Sequence, residues 1–167
     1  INLIMDGPPA MALGVDPPAG DTMERRPRDP KATILSGRRL GVLVAYGVVM
    51  AAGTLGVLTW SKSNSSEAHA LALAFTTFVL FQVFNVFNAR AERASVFRRE
   101  LFTNWKLWAA IGGVLVLQVA AVHFDPVQEV FGTADLAVSD WLVAVGVAST
   151  ILWFDEARKL VVRRRAA

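Results

Sequence analysis

The chain has 167 residues, of which 54% are hydrophobic and 19% charged, with no cysteine and a net charge of +3. A soluble domain carries roughly 25% charged residues, so this balance indicates a membrane protein; it also excludes intrinsic disorder. Without cysteine there is no disulfide framework and no thiolate metal site. The basic residues sit between apolar runs rather than on one face, so no nucleic-acid partner is expected.

The chain opens on Ile1 without the basic lead of a signal peptide, and is expected to be a piece of something longer. Residues 1–15 read INLIMDGPPAMALGV. Asn2 and Asp6 are four apart and share a face if this stretch is helical. A carboxylate among Leu3, Ile4 and Met5 is costly in lipid and calls for a polar cavity or partner. Pro8 and Pro9 have no N–H, so in a helix the carbonyls of Ile4 and Met5 lose their usual donors, and Gly7 lets the chain deviate. An amide oxygen, a carboxylate and freed carbonyls within about two turns suit a hard cation such as Ca²⁺ or Mg²⁺, and broken helices build such sites in transporters. The residues alone also admit a cytoplasmic lead-in whose Asp6 merely caps or turns.

Four apolar runs follow. Residues 40–61, 68–89 and 107–124 contain no charge, and a fourth run, 141–154, is expected to extend over 136–162 with its charges near the ends. About 20 apolar residues cross a bilayer as helix. No period-two alternation suggests a β-barrel. Of 17 basic residues, 16 fall before the first run, between the second and third, and in the tail, leaving only Lys62 on the other side. The positive-inside rule makes those three segments cytoplasmic.

Small residues four apart, Ala52 with Gly56, Ala109 with Gly113 and Ala144 with Ala148, fit helix packing in lipid. Glycines 41, 47, 53 and 56 mark the first run as one that other helices approach closely. Gln82, Asn85 and Asn88 recur at three-residue spacing and suit interhelical hydrogen bonds. His69 and His123 read as interfacial residues, with no second histidine or carboxylate at ligand spacing. Asp155, Glu156, Arg158 and Lys159 read as a solvated cluster, and Arg163–Arg165 as a run suited to anionic lipid headgroups. The RRPRDP segment at 25–30 is either a coupling loop or a topology-setting one.

NLIMDGPPAMALGVDPP with MERRPRDPKATILS at 23–36 resembles the sixth transmembrane helix and following loop of the cation-pumping P-type ATPases. FTTFVLFQVFNVFNAR at 75–90 resembles their eighth helix, and WLVAVGVASTILWFDEARKLVVRRR at 141–165 their tenth. The resemblance implies an all-α integral membrane bundle: the end of the sixth helix plus helices seven to ten of a ten-helix domain. On that map residues 1–15 end the sixth helix and 16–36 form a cytoplasmic loop. Segments 37–60, 69–89, 104–124 and 138–161 cross the membrane, and 162–167 form a cytoplasmic tail in a multi-pass cell-membrane protein.

The same resemblance implies a pump that couples ATP hydrolysis to ion movement, with Asn2 and Asp6 as Ca²⁺ ligands and Gln82 as a neighbour of the ion path. Two-ion calcium pumps carry threonine and glutamate where this chain has Met5 and Gln82. These departures match the plasma-membrane type, which carries one Ca²⁺ per cycle. A thioether is a poor ligand for a hard cation. No DKTG motif or nucleotide-binding sequence occurs in these residues, so Mg²⁺ and ATP are expected to be used by cytoplasmic domains outside them. This chain alone is then no enzyme, although its parent is. Its partners are membrane lipid and the remaining helices and cytoplasmic domains of the same pump. The alternative is a stand-alone four-span scaffold or subunit without catalytic activity.

Overall fold

Ser36, Ser66 and Asn104 each precede an apolar run, and each side chain accepts a backbone N–H three residues on. The donors are Arg39 at 3.4 Å, His69 at 3.3 Å and Leu107 at 3.0 Å. Such caps engage donors that the first helical turn leaves unpaired. The structure, a computed structural model, describes residues 2–16, 36–91, 95–96 and 103–166, and all their side chains except those of 2–5, 38, 165 and 166. There the chain forms α1 (Asn2–Gly14), α2 (Gly37–Lys62), α3 (Glu67–Arg90), α4 (Trp105–His123), α5 (Asp125–Phe131) and α6 (Val138–Ala166). No strand occurs among the described residues. The segment 25–30, singled out as a coupling or topology-setting loop, lies outside them, as do Arg93, Arg98 and Arg99.

Four helices are long and apolar enough to cross a membrane: Arg39–Lys62, Glu67–Arg90, Trp105–His123 and Val138–Arg164. The protein is thus an all-helical membrane bundle. At 1.5 Å per residue, α1 with its 13 residues reaches only about 20 Å and is not one of the four.

α3 stands in the middle. The bundle buries 61% of its most apolar stretch, against 17, 33 and 22% for α2, α4 and α6. One face of α3, with Leu73, Leu80 and Phe81, packs with Met50 and Val57 of α2 and with Ala144, Ala148 and Ile151 of α6. The other, with Val79, Val83 and Phe87, packs with Ala12 of α1 and with Leu107, Ile111 and Val114 of α4. A helix that is apolar all round belongs inside. Thr76 and Asn88, two of its buried polar side chains, bond across or along helices. Gln118 donates to Thr76 Oγ1 at 2.8 Å, and Thr76 to the Ala72 carbonyl at 2.9 Å. Asn88 donates to the Ile151 carbonyl at 3.1 Å.

The end of the bundle that carries α5 is also tied down. Lys62 and Glu67 close the α2–α3 turn at 2.9 Å. Gly132, at φ +64°, ends α5 in the left-handed region that glycine enters without a Cβ penalty. Thr133 donates to the Ala121 carbonyl.

Three expectations need correction. Of glycines 41, 47, 53 and 56, only Gly53 is closely approached; a Cβ there would lie 2.6 Å from Phe81 Cζ and 3.2 Å from Val147 Cγ1. The reason is that α3 and α6 meet α2 at that level, while much of α2 faces outward. Next, the Asp155 cluster is not solvated: Asp155 is 0% and Lys159 4% exposed. Tyr46 of α2 donates to Asp155, whose carboxylate also meets Arg158 at 2.6 Å and Lys159 at 2.8 Å. Glu156 accepts the Val96 N–H at 2.9 Å. A buried carboxylate needs such partners. Lastly, the two histidines do meet carboxylates: His123 Nδ1 lies 3.0 Å from Asp135, and His69 Nε2 lies 3.4 Å from Asp140. The segment after α5 brings Asp135 to His123, and the first turn of α6, packed against α3, brings Asp140 to His69.

Gly53 offers a direct test of this packing. Phe81 is fully buried, so its ring has little room to move, and overpacking of this kind costs about 1–3 kcal/mol. Gly53→Ala should lower the thermal midpoint of the full-length protein in mild detergent. Gly56→Ala, where nothing lies within 4 Å, should leave it unchanged. Equal midpoints would contradict the close approach.

Candidate cation site

α1 is helical from Asn2 to Gly14 with Pro8 and Pro9 inside it. The chain is therefore not unwound at Gly7, contrary to the expected break. The covalent consequence remains: prolines at 8 and 9 leave the Ile4 and Met5 carbonyls without donors from the next turn. Positions 2 and 6 fall one turn apart along this helix. The Asn2 side chain lies outside the described residues, so only its helical backbone is placed.

Asp6 is exposed on α1 and has no hydrogen-bond or ion-pair partner among the described residues. Pro9 and Ala12, further along, are buried. Gln82 is half-buried on α3, again without a hydrogen-bond partner among the described residues. α1 packs against both α3 and α4, which sets the carboxylate-bearing helix on the opposite side of α3 from α2 and α6. Asn88 serves helix association, whereas the Asn85 and Asn88 Oδ1 atoms are buried without a partner among the described residues. No group of three or more histidine or acidic residues that could hold a metal occurs among the described residues.

Sequence reasoning missed the contacts at the foot of α1. Asp16 there meets Arg90 at 2.7 Å and Asn104 at 3.0 Å. These residues are 74 and 88 positions away in sequence. No signal in the sequence singles them out, because several acidic residues follow position 14 and several basic ones lie at 90–99.

Residues 1–161 match the family model described as "Cation transporting ATPase, C-terminus". The chain is 36% identical over 99% of its length to a protein named calcium-transporting ATPase from Bacillus subtilis. It is 34% identical to calcium-transporting ATPase 1 of Schizosaccharomyces pombe, over 99% of its length, and 35% identical to calcium-transporting ATPase type 2C member 2 of Rattus norvegicus, over 96%. It spans 18, 18 and 17% of the length of those relatives. A match across nearly the whole chain, on a bundle of four membrane-spanning helices, places it in one family: the chain belongs to the C-terminal membrane region of the cation-transporting P-type ATPases.

Proposed function

We propose that the chain is the part of an ATP-driven calcium pump that supplies two ligands to the intramembrane ion site and the helices supporting them. The observation that carries this reading is Asp6: a carboxylate on an otherwise uncharged apolar helix, without a partner among the described residues, one turn from Asn2 and beside carbonyls freed by Pro8 and Pro9. An ionised group at such a place requires an opposite charge, and a transported cation meets that need. The relatives' printed names, calcium-transporting ATPases, favour Ca²⁺ as that cation. Hard oxygens from an amide, a carboxylate and backbone carbonyls suit it. Elsewhere in the pump, ATP and Mg²⁺ would drive the cycle.

Gln82 is the second part of the reading. Its amide offers an oxygen without charge, and Met5 offers only a thioether. A second Ca²⁺ would therefore share Asp6 with too little negative charge to offset ion–ion repulsion, which grows as water is excluded. One ion per cycle follows. That inference rests on Met5 and Gln82, and holds whether or not the pump is of the plasma-membrane type. On this reading the basic end of the bundle faces the cytoplasm of a cell membrane, an orientation that the distribution of lysine and arginine favours.

Three results are expected. Cysteines placed in 62–67 or 126–139 should be labelled from outside the cell, and cysteines at 28 or 95 should not. Labelling at 28 would reverse the orientation. In the full-length pump, Asp6→Asn keeps the side-chain shape but removes the charge. Calcium-dependent phosphorylation from ATP should disappear while reverse phosphorylation from inorganic phosphate survives; unchanged calcium affinity would remove Asp6 from the ligand set. Finally, equilibrium binding of radiolabelled calcium should give about one ion per phosphorylation site, with Gln82→Ala weakening affinity far less than Asn2→Ala, as expected if Asn2 is a ligand and Gln82 only a neighbour of the ion path. Two bound ions would refute the one-site reading.

A further inference from the structure

Asp16, two residues past the end of α1, gathers three N–H donors. Arg90, at the end of α3, reaches it with both arms of its guanidinium: Nε to Oδ2 at 2.7 Å and Nη2 to Oδ1 at 3.0 Å. The same Nη2 donates to Thr103 Oγ1 at 2.8 Å. Asn104, the cap of α4, uses its whole amide. Its oxygen accepts the Leu107 N–H at 3.0 Å, and its nitrogen donates to Asp16 Oδ1 at 3.0 Å and to the Ala12 carbonyl at 2.9 Å. Asn104 is 5% exposed, and the Arg90 and Asp16 side chains are 10 and 19% exposed. A bidentate, partly desolvated pair of this kind is stronger and more directional than a surface ion pair.

The ends of three helices therefore meet on one carboxylate. α1 cannot slide along α3 and α4, or turn about its axis, without breaking the fork to Arg90 or the bond from Asn104 to Ala12. Asp6 stands eight residues before Gly14, the last residue of α1, about 12 Å along the helix at 1.5 Å per residue. The geometry points to Asp16, Arg90 and Asn104 as positioning residues that hold the depth and facing of Asp6, an inference that rests on Asp6 being a cation ligand. None of the three touches the ion. They act through α1, much as outer groups orient the ligands of a metal centre, where loss of one typically lowers metal affinity about 10–100-fold.

The test uses the full-length pump, with equilibrium calcium affinity and phosphorylation from inorganic phosphate measured on each variant. Asp16→Asn and Arg90→Gln should each weaken calcium binding about tenfold at an unchanged level of phosphate-driven phosphorylation. The double variant should be no weaker than the worse single one, because both remove the same contact. Asp16→Glu, which keeps the paired oxygens, should recover most of the affinity. Arg90→Lys keeps the charge but loses the fork and should remain weakened; it decides the matter if the uncharged variants fail to fold. Unchanged affinity in Arg90→Lys and Arg90→Gln, or strictly additive losses in the double variant, would overturn the positioning role. Asp6→Asn is measured alongside. If it binds calcium normally, the ligand reading falls and the positioning role with it; if it abolishes binding while the Arg90 variants bind normally, only the positioning role falls.

Discussion

A lipid-exposed polar group has no water to turn to, and this constraint arranges the bundle around α3. Thr76, Thr77 and Asn88 are carried by α3 into the apolar layer and are buried there. Thr77 closes on its own helix, donating to the Leu73 carbonyl at 2.8 Å. Thr76 and Asn88 draw in α4 and α6 through Gln118 and the Ile151 carbonyl. Interhelical hydrogen bonds in membranes contribute only about 0.6–2 kcal/mol each, so they select partners more than they hold them. The holding comes from packing, seen at Gly53, where a missing side chain lets Phe81 and Val147 press against α2.

This arrangement divides the bundle by role. On one side of α3, α2 and α6 are joined by their apolar contacts and by the Tyr46–Asp155–Lys159 network, an anchor made of residues 109 positions apart in sequence for its first bond. On the other side, α1 lies against α3 and α4 and carries Asp6. The helix bearing the candidate ligand is thus mounted on the central pillar while the outer pair is fastened separately behind it. At the opposite end, the His123–Asp135 contact ties the segment after α5 to α4, and the Trp141 indole, 3.4 Å from His123, ties α6 to α4.

The spans were legible because uncharged runs of about 20 residues have few readings in lipid. Which span lies inside was not, since all four are apolar on nearly every face and helical periodicity carries little contrast. The Asp155 cluster misled for a related reason. Its four charged residues look like a surface, and the partner on another helix, Tyr46, is distant in sequence. Asp6 and Asn2 could be singled out from spacing and from the prolines, because a carboxylate in an apolar run is anomalous by itself. The foot of α1 could not, because Asp16, Arg90 and Asn104 are each ordinary at a membrane boundary and acquire meaning only when three helix ends converge.

The claim on which the functional reading turns is that α1 presents Asp6 to a transported cation rather than to solvent or lipid. An electron cryomicroscopy structure of the full-length pump with bound calcium would examine it directly. The expected result is one ion with an Asp6 carboxylate oxygen and the Asn2 amide oxygen at about 2.3–2.6 Å, the ordinary range for calcium–oxygen contacts. An ion bound elsewhere in the membrane domain, with Asp6 turned away from it, would contradict the reading.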